Sequence, residues 1–262
     1  MTLVALGRTD HFEIEYDDSL ELAEGRLAAN GLLETCEGDY TLMSSWFDGA
    51  EPAARPISIK LIGEASSKPL TQLIELAPGP AATSPRVRYL FVMEVSKLFM
   101  LSHERGWLSP LGAGPGSSLS PFLGAMALAA HGLGSPDADL QRANDWMGSE
   151  RADYVNFSDD SPEAVGCGVL FLYYLLVQHG FTVNQIVAAG APDLGGVYRN
   201  LTGDLVDPFV VFKSLLETRY PGATAIPDGH PDNPWPIGHL AGDVLAERTQ
   251  PITPWAQGIT SI

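Results

Sequence analysis

Between Arg86 and Arg105 the chain reads RVRYLFVMEVSKLFMLSHER, a long apolar run with a few charges set inside it. Val87, Leu90, Val95, Leu98, Phe99 and Leu101 recur at mixed spacings of one, three and four. That spacing predicts a helix over Arg86–His103 that is buried on most of its circumference and central to the fold. Glu94 and Lys97 fall in the middle of it, one turn apart. A charge carried into an apolar interior is either paired or functional, because an isolated ion there is too costly to keep. Any fold for this chain must enclose the helix and satisfy those two groups.

Upstream of the run the periodicity is two. In HFEIEY, Phe12, Ile14 and Tyr16 alternate with Glu13 and Glu15, the pattern of a half-buried strand. PISIKLIGE repeats it at Pro56–Glu64, and Gln72–Leu76 reads as a third strand. Ser19–Leu33 reads as a helix with Ser19 as N-cap, and Asp39–Phe47 as a short helix or a strand. Beyond Pro85 the pattern is helical: Ser118–His131 with Ser118 or Ser120 as N-cap, Asp137–Trp146, and Ala164–His179 closed by Gly180. Val183–Ala189, Gly195–Thr202 and Asp207–Arg219 follow, before a Pro/Gly/Asp-rich tail from Ala223. The expected class is α+β: a small N-terminal mixed sheet with a helix, then a mainly helical half. The boundary is expected at 85, with 86–262 forming the helical subdomain of one compact unit.

Charge restricts the partners. With 15 basic and 32 acidic residues the formal net charge is -17, which repels nucleic acid and anionic membrane surfaces. The expected partner is a small molecule or a protein. Cys36 and Cys167 are too few for a disulfide framework and read as small core residues. The start, MTLVALGRTDHFEIEYDD, turns acidic at once rather than reading as a signal peptide, and the apolar runs fall short of a membrane span. The chain reads as soluble and cytoplasmic.

Three stretches in this order carry a resemblance: HFEIEYD with its helix and PISIKLIGE, then VMEVSKLFM, then VGCGVLFLYYLLVQHGF. Together they resemble the gluzincin zinc metallopeptidases, which share a peptidase-MA-like fold, over roughly residues 10–220. The resemblance sets Met93-Glu94-Val95-Ser96-Lys97 against that family's HExxH motif, and Ser117 or Ser118 at its third-ligand position. Only Glu94 then matches, where the family keeps its general base. A thioether, an ammonium and a hydroxyl do not make a zinc site, so the resemblance implies the fold without the zinc, and no cofactor is expected.

Two readings of the candidates follow. In the first, Glu94 and Lys97 are an ordinary i,i+3 ion pair, and the chain is a non-catalytic binding or structural module. In the second, Glu94, Lys97, Asp153, Tyr154 and Asp160 line a relic cleft that serves a metal-independent hydrolase. Asp159 belongs to the same acidic stretch. Ser117 and Ser118 lack the G-x-S-x-G setting of a serine nucleophile, and Tyr173 and Tyr174 read as packing residues. Asp228, His230, Asp232 and His239 read as a turn-rich surface loop rather than a cation site.

Overall fold

Alternating apolar and polar residues make a sheet with one apolar face, and a helix must cover that face. The computed structural model describes residues 2–219 apart from 19, 21–23, 54, 64–72, 79–82, 109–113, 134–136, 158 and 160. The chain divides into two compact units, Met1–His103 and Glu104–Ile262.

In the first unit, strands β1 (Leu3–Arg8), β2 (Phe12–Asp17), β3 (Ile57–Leu61) and β4 (Leu73–Leu76) lie in the order β1-β2-β3-β4. β1 is antiparallel to β2, while β2–β3 and β3–β4 are parallel, so the sheet is mixed as expected. Parallel registration places Phe12 beside Ile57, Ile14 beside Ile59 and Tyr16 beside Leu61, a continuous buried apolar face. The opposite face carries Arg8–Glu13 and Lys60–Glu15 ion pairs. β1 was not among the predicted strands; its alternation is broken by a bulge between Ala5 and Gly7.

Helix α1 (Glu24–Trp46) connects β2 to β3, and α2 (Ser84–His103) follows β4. α1 absorbs the Asp39–Phe47 stretch and runs well past the expected end at Leu33. Asn30-Gly31 and Gly38-Asp39 are turn signals that tertiary contacts override. Gly31 packs under Ser84, where an added Cβ would lie 3.3 Å from the hydroxyl, and Asp39 is drawn inward by an ion pair. The expected Ser19 cap lies outside the described residues. α2 begins two residues earlier than expected, where the Arg86 N–H donates to Thr83 Oγ1 at 3.4 Å. It buries Val87, Tyr89, Leu90, Phe91, Val92, Val95, Ser96, Phe99 and Met100. Leu101 is a correction: it is 59% exposed, because it faces away from α1 and the sheet. Phe91 meets Phe12 edge-on at 5.0 Å, joining helix to sheet. The compact units thus separate after His103, not at 85, since α2 packs on the sheet and α1.

Described strands are confined to the first unit, and the second is helical: α3 (Gly116–Ala130), α4 (Asp137–Met147), α5 (Pro162–Tyr173), α6 (Val183–Ala188), α7 (Leu194–Thr202) and α8 (Pro208–Arg219). Neither Ser118 nor Ser120 caps α3. Pro115 stands at the N-cap, both serines are buried inside the helix, and Ser118 Oγ donates to the Val165 carbonyl at 3.4 Å. α5 is started by Ser161, whose Oγ accepts from the Ala164 N–H, and by Pro162. Every residue from Ala164 to Tyr173 is buried, so α5 is the core helix of this unit, as α2 is of the other. The helix predicted to His179 does extend that far, but it widens into a π-turn at Tyr174–Gln178. That turn seats Tyr174 among Phe171, Phe212 and His179. Small residues set the approach of neighbouring helices: a Cβ on Gly166 would overlap the Arg142 carbonyl of α4, and one on Gly168 would overlap Ser118 of α3.

Candidate functional site

Glu94 and Lys97 share one face of α2, and the Lys97 ammonium donates to Glu94 Oε1 at 2.7 Å. The side chains are 17% and 29% exposed, a half-buried pair rather than an enclosed one. Met93 offers a thioether beside them, and its carbonyl accepts from Ser96 Oγ at 2.9 Å. These groups do not fit zinc: the ammonium is already engaged with the carboxylate, and Ser118 is buried against Val165. Among the described residues, no three His, Cys, Asp or Glu side chains converge as a metal site.

The other candidates belong to the second unit. Asp153 is spent locally: its Oδ1 accepts from the Val155 and Asn156 N–H groups at 2.9 and 3.0 Å, and its Oδ2 from Asn156 Nδ2 at 2.8 Å. That arrangement is an Asx-type turn, a structural use of a carboxylate. Tyr154 follows it, half-buried. Asp159 accepts from the Ser161 N–H at 2.7 Å, while Asp160 lies outside the described residues, as do His230, His239 and the tail. The structure therefore brings Glu94 together with Lys97, and Asp153 with Asn156.

A different cluster, which the sequence reading did not assemble, surrounds His11. The carboxylate of Glu37 receives the His11 backbone N–H at Oε1 (2.9 Å) and faces the ring Nδ1 at Oε2 (2.6 Å). Burial works against the ionised Glu37, but hydrogen bonds from Thr9 and His11 and the imidazole's charge outweigh it and hold the carboxyl below its usual range. The His11 ring stacks on Tyr40 with centroids 3.8 Å apart, and Arg55 Nη2 donates to the Tyr40 hydroxyl at 2.9 Å. Arg55 in turn pairs with Glu51. Beside this chain of contacts lies an open depression of about 400 Å³ lined by His11, Tyr40, Thr41, Ser44, Ser45, Gly49 and Glu51. Glu37 orients the imidazole, which is one of the side chains lining the depression. The signal for it in the sequence is the helical spacing of Glu37, Tyr40, Thr41 and Ser44, which lies beyond the expected helix end at Leu33.

The two helices of this unit supply a further pair that sequence reasoning missed. Asp39 on α1 is fully buried and takes a bidentate bond from Arg88 on α2, Nε–Oδ2 2.8 Å and Nη2–Oδ1 2.7 Å. It clamps the two helices together. The cysteines are core thiols: both are buried, with Cys36 pushed up to about 11 and Cys167 pushed higher still, chiefly by burial. Neither is a nucleophile at neutral pH. No helix among the described residues is long and apolar enough to cross a membrane. No protein-family model, curated protein or solved structure matches the chain.

Proposed function

We propose that this chain is a non-catalytic binding or structural module on a metallopeptidase-like fold, with the depression beside His11 as its binding face. The family part of the reading rests on the sequence order of HFEIEYD, VMEVSKLFM and VGCGVLFLYYLLVQHGF. What supports the non-catalytic part is the 2.7 Å ion pair of Glu94 with Lys97, which engages Oε1 of the carboxylate that a hydrolase would use as its base. The formal net charge of -17 favours a small molecule or a protein as partner over nucleic acid or anionic lipid. Two unbridged, buried thiols favour the cytoplasm. The test is a screen of ester, amide and glycoside substrates with the wild type, Glu94→Gln and His11→Gln, beside metal analysis of the purified protein. The reading expects no turnover above background and no stoichiometric zinc. Turnover that Glu94→Gln abolishes would transfer the function to the metal-independent hydrolase; about one zinc per chain, removed by chelation together with activity, would restore the peptidase.

A further inference from the structure

Four large apolar side chains of the second unit stand in solvent: Phe157 is 72% exposed, Leu205 88%, Val206 55% and Val210 61%. They come from two segments that meet, because Asn156 Nδ2 donates to Asp207 Oδ1 at 2.8 Å. Single exposed apolar residues are ordinary, but a contiguous group marks an interaction surface. This group is also held in place. Gly203 closes α7 in the left-handed conformation at φ 72°, Asp204 Oδ1 accepts from the Val206 N–H at 2.9 Å, and Asp207 Oδ1 accepts from the Phe209 N–H at 3.0 Å. Each turn is fixed by its own side chain, so the apolar residues are presented rather than left to fold back.

The surroundings are mainly acidic: the bordering cations Arg199 and Lys213 are paired with Asp193 and Glu217, and Arg151 is buried. Residues 152–163 and 200–212 contain Asp153, Asp159, Glu163, Asp204 and Asp207 among their acidic residues, and no lysine or arginine. Asp153, Asp159, Asp204 and Asp207 accept hydrogen bonds from backbone N–H groups and the Asn156 amide, which are neutral donors. An apolar centre with an anionic rim is complementary to a segment with apolar residues on one face and lysine or arginine around them. A second copy of a chain carrying a net charge of -17 would bring like charges together instead.

We infer that the surface formed by Phe157, Leu205, Val206 and Val210 docks a basic amphipathic protein segment. The test titrates the full chain into a labelled synthetic helical peptide with leucines on one face and lysines elsewhere, followed by fluorescence anisotropy. A peptide with glutamates in place of the lysines serves as control. Saturable binding is expected for the lysine peptide, weakened at least about tenfold by Leu205→Asp with Val210→Asp. Salt and Asp204→Lys are expected to weaken it too, and the glutamate peptide not to bind. Both leucine and valine sites lie in solvent, so the thermal midpoint should be unchanged; if the double variant is unstable, Phe157→Ser replaces it. Absent binding, binding indifferent to these variants, or equal binding of the glutamate peptide would overturn the inference. So would a wild-type dimer that Leu205→Asp dissolves, or cross-linking that finds residues 220–262 seated on the patch.

Discussion

Asp39 and Arg88 meet inside the first unit as a bidentate ion pair between its two helices. At the corresponding depth of the second unit, Ala164–Tyr173 of α5 brings in only apolar residues, glycine, a thiol and Tyr173, and all are buried. Arg151 is buried in this unit as well, and its Nε donates to the Met147 carbonyl at 3.1 Å. The two cores solve the same problem in opposite ways. In the first, helices of ordinary composition are aligned by charges that are satisfied in one geometry alone. In the second, helices approach so closely that glycine is required where they cross, and shape fixes the alignment. Losing a partner should therefore break the first unit, and adding volume should break the second.

Adding volume should have the largest effect. Gly166→Val places carbon atoms on the Arg142 carbonyl, which is backbone and cannot swing away. A loss of more than about 4 kcal/mol is expected, enough to leave the second unit unfolded. A folded Gly166→Val protein with near-normal denaturant midpoint would mean that shape does not control this core. Next comes removal of a partner: Asp39→Ala strands a buried guanidinium and should cost about 3–5 kcal/mol, while Asp39→Leu with Arg88→Met should recover much of it. The same cycle on Glu94→Gln and Lys97→Met should give a coupling of about 1 kcal/mol or less, since that pair is half in water. Equal couplings in the two cycles would remove the distinction between a structural clamp and a surface pair.

Much of this architecture was legible in the sequence. The period of two in HFEIEY and PISIKLIGE marked β2 and β3, because one face of each strand is wholly buried. α5 and the late helices were visible through their apolar content and the Gly180 stop, while their Ser161, Thr182 and Asp193 caps emerge only in the structure. β1 was not legible, since its bulge breaks the alternation, nor was the length of α1, whose glycines point to a turn. That second loss hid two partners, the half-buried Glu37 and the buried Asp39, because each follows the apparent helix end. The charges within α2 were visible and their pairing was inferable from spacing. How far water reaches them was not, because exposure is decided by neighbours distant in the chain. Asp153 shows the converse: an acidic loop residue resembles a cleft wall until its three hydrogen bonds reveal a turn.

The smallest effect should separate the units by pH. Tyr174, Phe181 and Tyr198 pack around the His179 imidazole of the second unit and partly shield it from water, which pushes it below its ordinary value of 6.5; the residue still reaches solvent, so this step is screened and small. Unfolding frees it to take up a proton more readily, so its contribution is complete above about pH 6.5 and is lost as the pH falls below that. Glu37 of the first unit is held below its ordinary 4.5, so its contribution is complete above that value and fades only at lower pH. With 38% of the Glu37 side chain exposed, solvent screens the second step and keeps it small. Amide hydrogen exchange, corrected for the intrinsic pH dependence of the chemistry, can follow the two units separately. Between pH 7 and 5.5, α5 and its π-turn should lose protection while α1 and β2 keep theirs; below about pH 4.5 the first unit should follow. His179→Phe should remove the first step alone, and Glu37→Gln the second alone. If both units lost protection together, or if His179→Phe left the first step in place, acid sensitivity would belong to the molecule as a whole and not to the different chemistry of its two cores.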